Sequence, residues 1–147
     1  VEEVNTHGGS LRVYATMNKN KRAHKSLREY IEIEKKNKLD KIETYYKFAS
    51  DVEKIKLTSL KKIEGIISNN EKIIGYGAPA KATTVLNYFG INNLHFDYTI
   101  DDNHLKQNKY IPGTNIQIKS IDDIEPEIYD NVVVLAWNFF NEIKRKN

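Results

Sequence analysis

Between residues 27 and 64 the chain has neither proline nor glycine. Apolar side chains recur at Ile42, Tyr45, Tyr46, Phe48, Ala49, Val52, Ile55, Leu60, Ile63 and Ile67. The spacing is close to one helical turn and predicts a long amphipathic helix. The stretch 27–38 is more polar. It reads as a separate helix, with Asp40 capping the next, or as the first part of one continuous helix. Ser68, Asn69 and Asn70 end the pattern. The rhythm then shortens. Residues 72–76 form an apolar run that predicts a strand, and a glycine turn follows. A helix opens at Pro79, runs to Phe89 and stops at Gly90. Residues 96–102 and 115–120 predict two further strands. Residues 120–130 predict a short helix capped by Ser120 and shortened by Pro126. "NVVVLAW", 131–137, is continuously apolar and predicts a strand buried on both faces of a parallel sheet, with Trp137 inside. "NFFNEIKRK" predicts a last helix. Near the start, residues 10–16 alternate apolar and polar as a short strand does, and a basic linker, "NKNKRAHKS", follows.

Strands alternating with helices give an α/β fold class. The expected architecture is a small Rossmann-like, mainly parallel sheet flanked by helices, preceded by a strand and a long helical segment. Three regions are expected: 1–23 as the tail of a preceding domain with a linker, 24–70 as a helical segment, and 71–147 as the Rossmann-like domain.

Composition narrows this picture little. With 39% hydrophobic and 29% charged residues, the chain is globular rather than disordered. Its 23 basic and 20 acidic residues give a net charge of +3, too mild to point to nucleic acid. No apolar run approaches a membrane span, so no membrane partner is expected. The absence of cysteine excludes disulfides, thiolate nucleophiles and Cys-based zinc sites, and is compatible with a cytoplasmic setting. The four histidines show no His-x-x-x-His pair, so no metal site is expected. The first residue is Val1, and we expect a piece of a longer protein.

Two stretches carry candidate chemistry. "GYGAPAK", 75–81, satisfies G-x-G-x-x-A between a strand and a helix, where backbone amides can receive a phosphate. Asp101 and Asp102 end the next strand, where a dinucleotide fold places its ribose-binding acid. The same glycines equally suit mere close packing of strand on helix. Pro79 and Lys81 are unusual in a dinucleotide loop, and Gly-Lys-Ser/Thr is absent, so this is no Walker A loop. "THGGS", 6–10, puts His7 beside two glycines. Alone it reads as an ordinary turn, and no G-x-S-x-G elbow supports a lipase-type oxyanion loop.

"HGGSLRVYA", "GYGAPAKATTVLNYFGI", "YTIDDNHLKQNKYIPGT" and "VVVLAWNFFNEI" occur in that order. Together they closely resemble the C-terminal part of S-adenosylmethionine-dependent sugar C-methyltransferases, over residues 6–143. The resemblance implies a three-part enzyme, with a Cys-rich zinc segment, a domain that binds S-adenosylmethionine (SAM), and a second Rossmann-like domain that helps hold a nucleotide-linked keto-deoxysugar. This chain then corresponds to the tail of the middle domain plus the last domain. The cofactor SAM would be bound by the upstream domain and not here, so the chain alone should not turn over. Self-association stays open.

By the same resemblance His7 is the catalytic base. A carbon has no lone pair to offer a methyl sulfonium, so a proton must first leave the carbon beside the sugar ketone, and imidazole suits that task. Some members carry a tyrosine and an acidic residue just before this histidine; here Val4, Asn5 and Thr6 stand there. Gly8 and Gly9 let the backbone pass close to the sugar. Ser10 and Arg12 are candidates for the phosphates. Gly75, Tyr76, Gly77 and Lys81 are candidates for the sugar nucleotide, as are Lys109 and Tyr110 in "KYIPGT", whose other reading is a Pro-Gly turn. Asn138 follows the last strand at its C-terminal end, where open α/β sheets bind ligands. Asp101 and Asp102 either bind a sugar hydroxyl or cap the next turn. The alternatives are a dinucleotide-binding domain of an oxidoreductase using NAD, and a non-catalytic interaction module.

Overall fold

A computed structural model of the protein describes residues 1–6, 8–124 and 129–146. His7 and Pro126, both singled out above, lie outside the described residues. The chain divides into two compact units, 1–54 and 55–147.

The first unit opens with β1 (Glu2–Val4) and β2 (Ser10–Arg12), an antiparallel pair in the register Glu2↔Arg12 to Val4↔Ser10. β1 has only three residues and gives no legible alternation. β2 stops at Arg12, shorter than the predicted 10–16. Val13 and Tyr14 are exposed, so the alternation has no core to bury against. Gly8 and Gly9, at φ 89° and 113°, turn the chain between the strands in the left-handed region that glycine enters freely. α1 (Lys25–Lys36) is capped by His24, whose Nδ1 accepts from the Ser26 amide. Lys35 and Lys36 in its last turn suit the negative end of the helix dipole.

α2 (Ile42–Ser68) is separate from α1, and Lys38, at φ 55°, breaks the chain between them. Asp40 is not its cap. Ile42 follows Lys41 directly, and the Asp40 carboxylate pairs with the Lys41 ammonium at 3.1 Å.

In the second unit, β3 (Ile73–Tyr76), β4 (Tyr98–Ile100), β5 (Gln117–Lys119) and β6 (Asn131–Val134) form one parallel sheet in the order β5-β4-β3-β6. α3 (Ala80–Phe89) follows β3 and ends at Gly90, which is left-handed at φ 76°. α4 (Phe140–Lys146) follows β6 after a 3-10 turn, Trp137–Phe139. The predicted α/β class and parallel sheet are what the chain forms.

The core follows the period of two in β3. Ile73 faces Ile63 of α2, Leu86 of α3 and Phe96. Ile74 and Tyr76 face the other way, with Tyr98, Ile100 and Ile143 of α4. Fully burying one such side chain contributes about 1.5–3 kcal/mol.

β6 departs from its prediction. It has four residues rather than seven, and it lies at the sheet edge with β3 as its strand neighbour. Val132 is therefore 45% exposed. Trp137, expected inside, is 47% exposed, because it has left the sheet for the 3-10 turn. Residues 121–123 form a 3-10 turn with Ser120 as its cap, which matches the predicted cap.

Candidate functional site

From β3 the chain steps outward to β4 and β5, then returns to the other side of β3 as β6. The connections after β3 and β6 thus leave in opposite directions. Beyond the C-terminal ends of those two strands a parallel sheet opens its ligand crevice. A cleft of about 310 Å³ lies there. Its walls are Tyr76, Gly77 and Pro79 after β3, Asp101, Asp102 and Lys106 after β4, and Ala136, Phe139, Glu142 and Ile143 after β6.

Both glycines of the turn are forced by packing. A Cβ on Gly75 would lie 2.6 Å from Thr99 Oγ1 on the neighbouring strand. Gly77 sits at φ 88°, and a Cβ there would lie 2.6 Å from the Ala136 Cβ. The Gly77 amide donates to the Ile100 carbonyl at 2.6 Å, and Thr99 Oγ1 donates to the Gly77 carbonyl at 3.1 Å.

The anion-receiving end of this turn is filled by the protein itself. Asp101 is only 8% exposed. Its Oδ2 accepts from the Ala78 amide at 2.7 Å and from Lys106 Nζ at 3.0 Å, and its Oδ1 accepts from the Asn103 amide at 2.9 Å. Lys106 Nζ also donates to the Ala78 carbonyl at 3.1 Å. Burial pushes the Asp101 carboxyl up, but the two amides and the Lys106 ammonium outweigh it and hold the group below the usual carboxylate range. Asp101 thus caps the next turn, one of the two roles read from its position, and bridges that turn to the glycine loop. Beside it the Tyr76 hydroxyl donates to Asp102 Oδ1 at 3.2 Å.

Of the residues named from sequence, Tyr76 and Gly77 line this cleft, and Gly75 lies in β3 against Thr99 and Leu135. Lys81 lies next to it with its ammonium 4.4 Å from the Trp137 ring centroid, a cation–π contact. Asn138 is in the same 3-10 turn. Lys109 and Tyr110 are elsewhere. Residues 109–117 fold back on themselves, with Tyr110 bridging Gln117 and the Ile111 amide donating to Ile116. The tip of that hairpin is held at the C-terminal end of α3, where Asn87 Nδ2 donates to the Pro112 carbonyl at 2.9 Å. The cleft opens at the other end of this helix, about 10 Å from Asn87 at 1.5 Å per residue. Lys106, Phe139 and Glu142 gave no signal in the sequence, because only the packing of the connection after β4 against the one after β6 brings them together.

In the first unit, Ser10 Oγ donates to the Thr6 carbonyl at 3.0 Å, and Arg12 Nη1 donates to Glu2 Oε1 at 2.7 Å. The Tyr14 hydroxyl donates to the same Glu2 oxygen. These three groups lock the β1–β2 hairpin whose loop contains position 7. A second cavity of about 500 Å³ lies between that hairpin and α1, lined by Glu3, Asn5, Gly9, Ser10 and Tyr30 among others. The Tyr30 phenol is pushed up to about 12, first by its hydrogen bond to Glu3 and then by desolvation and the Glu3 charge. Among the described residues no cluster of three or more His, Asp or Glu is placed to hold a metal ion. No helix among them is long and apolar enough to cross a membrane.

Comparison with known proteins adds the family. The chain is similar to the C-methyltransferase NovU of Streptomyces niveus, with 28% identity over 144 residues. The aligned region is 97% of this chain and 34% of NovU, so the chain spans about a third of the length of that relative. Residues 5–147 match the family described as C-methyltransferase C-terminal domain, and the chain therefore belongs to that family.

Proposed function

We propose that this chain is the substrate-holding C-terminal portion of a SAM-dependent C-methyltransferase that acts on a nucleotide-linked keto-deoxysugar. The observation that carries the reading is membership of the C-methyltransferase C-terminal domain family over residues 5–147. The cleft at the switch point of the sheet supports it, since that is where such a sheet holds a ligand. His7 is the proposed base, removing the proton from the carbon next to the sugar ketone. Glu2, Arg12 and Tyr14 join the two strands that flank position 7 in the sequence. Ser10 and Arg12 remain proposed neighbours of the substrate phosphates.

One observation supports placing neither SAM nor NAD on the glycine turn of this chain. The Ala78 amide, where such a loop would receive a phosphate, already donates to Asp101. We place SAM, as the family resemblance implies, in a domain upstream of this chain, and we expect no turnover by the chain alone.

Calorimetric titration of the chain with a nucleoside-diphosphate sugar and, separately, with NAD tests this. Binding of the sugar nucleotide without NAD is the expected result, and the reverse would overturn the proposal. In the longer enzyme, His7→Ala should abolish both methyl transfer and deuterium exchange at the carbon beside the ketone, while substrate still binds. Retained exchange would remove His7 as the base.

A further inference from the structure

Charge sorting in the cleft restricts which part of a ligand it can take. Among the described residues its walls carry three carboxylates, Asp101, Asp102 and Glu142, against one ammonium, Lys106. Lys106 is already shared between Asp101 and the Ala78 carbonyl. The nearby Lys81 rests on Trp137. The turn amide that would greet a phosphate belongs to Asp101. A phosphate entering here would meet charge of its own sign and no vacant donor at Ala78. Hydroxyl groups would meet the opposite. Carboxylates accept strongly from hydroxyls, Asp102 is held in place by the Tyr76 phenol, and Phe139 offers an exposed ring to the C–H face of a sugar.

We infer that the cleft between the ends of β3 and β6 receives an uncharged, hydroxyl-bearing ring, a sugar or a ribose, on Asp102, Glu142 and Phe139, and that a diphosphate stays outside it. This rests on the proposed function and deepens it, by saying which end of the sugar nucleotide enters the second unit.

Amide chemical shifts of the isotope-labelled chain test the inference with four probes: methyl glucoside, uridine, inorganic pyrophosphate and a nucleoside-diphosphate sugar. A neutral probe should move the amides of Gly77, Asp102, Ala136 and Glu142, and pyrophosphate should not. A response to the glycoside points to the sugar end, and a response to uridine points to the ribose. Asp102→Asn should weaken the responding neutral probe about tenfold, as expected for loss of a charged hydrogen bond. Glu142→Gln, on an exposed helical position, should leave the fold intact and weaken the neutral probe. Pyrophosphate moving the cleft amides of the unaltered chain, or no movement with either neutral probe at its highest soluble concentration, overturns the inference. A sugar nucleotide that moves only amides of residues 8–12 would also overturn it, yet would leave the proposed function standing. One that moves no amide anywhere counts against that function itself.

Discussion

Removing the carboxylate of Asp101 should open the glycine turn. In Asp101→Ala the Ala78 amide, the Asn103 amide and the Lys106 ammonium lose the oxygens they share. A hydrogen bond to a charged group contributes about 1.5–3 kcal/mol, and an orphaned buried donor costs a similar amount. Lys106 is 38% exposed and can turn to water, so its share is small. The Ala78 amide is the main loss, and the expected destabilisation is about 3 kcal/mol. For a unit the size of residues 55–147 that lowers the melting temperature by about 12–24 °C. Urea and thermal unfolding followed by circular dichroism measure it. The isosteric Asp101→Asn separates charge from shape. The folded carboxyl titrates below the usual range, whereas an unfolded aspartate titrates near about 3.9. The stability from its charge is therefore complete above the unfolded value and is lost as pH falls through the folded one. The difference between native and Asp101→Asn should be largest at neutral pH and should shrink in acid. An Asp101→Ala protein within about 0.5 kcal/mol of native, the range of ordinary surface changes, would refute the bridging role. A gap that does not change with pH would refute the charge argument.

Gly77→Ala should destabilise by about 2–4 kcal/mol, combining a left-handed backbone with contact against Ala136; Gly90→Ala, left-handed but in open space, should lose only about 1 kcal/mol, and equal losses in urea melts would dismiss the packing account. Lys81→Ala should raise the susceptibility of Trp137, the single tryptophan, to acrylamide quenching, with a stability change of about 0.5–1 kcal/mol; unchanged quenching would mean that the lysine does not cover the ring. Glu3→Gln should bring the Tyr30 phenol down from about 12 towards the ordinary value near about 10, read by NMR of the tyrosine ring carbons; an unmoved titration would place the cause elsewhere.

Local patterns in this chain encode local structure. The period near 3.6 in α2, the Pro79 and Gly90 boundaries of α3, the Ser120 cap and the apolar run of β3 are all legible, because each depends on a residue and its neighbours a turn away. The resemblance carried by the four motifs reached the family by the same linear route. What lay beyond the sequence depends on which strands become neighbours. "VVVL" has the composition of a central strand, but the order β5-β4-β3-β6 puts it at the edge and exposes Val132. The glycine turn has the spacing of a phosphate loop, but the pairing of β3 with β4 brings Asp101 onto its amide first. "KYIPGT" reads equally as a ligand-reaching loop or a Pro-Gly turn; it forms the turn, with the Thr114 amide donating to Ile111 and Asn87 holding Pro112 at the far end of α3. Periodicity and turn preference act over a few residues, whereas these three outcomes are decided by contacts more than twenty residues apart, and only the folded sheet sets those.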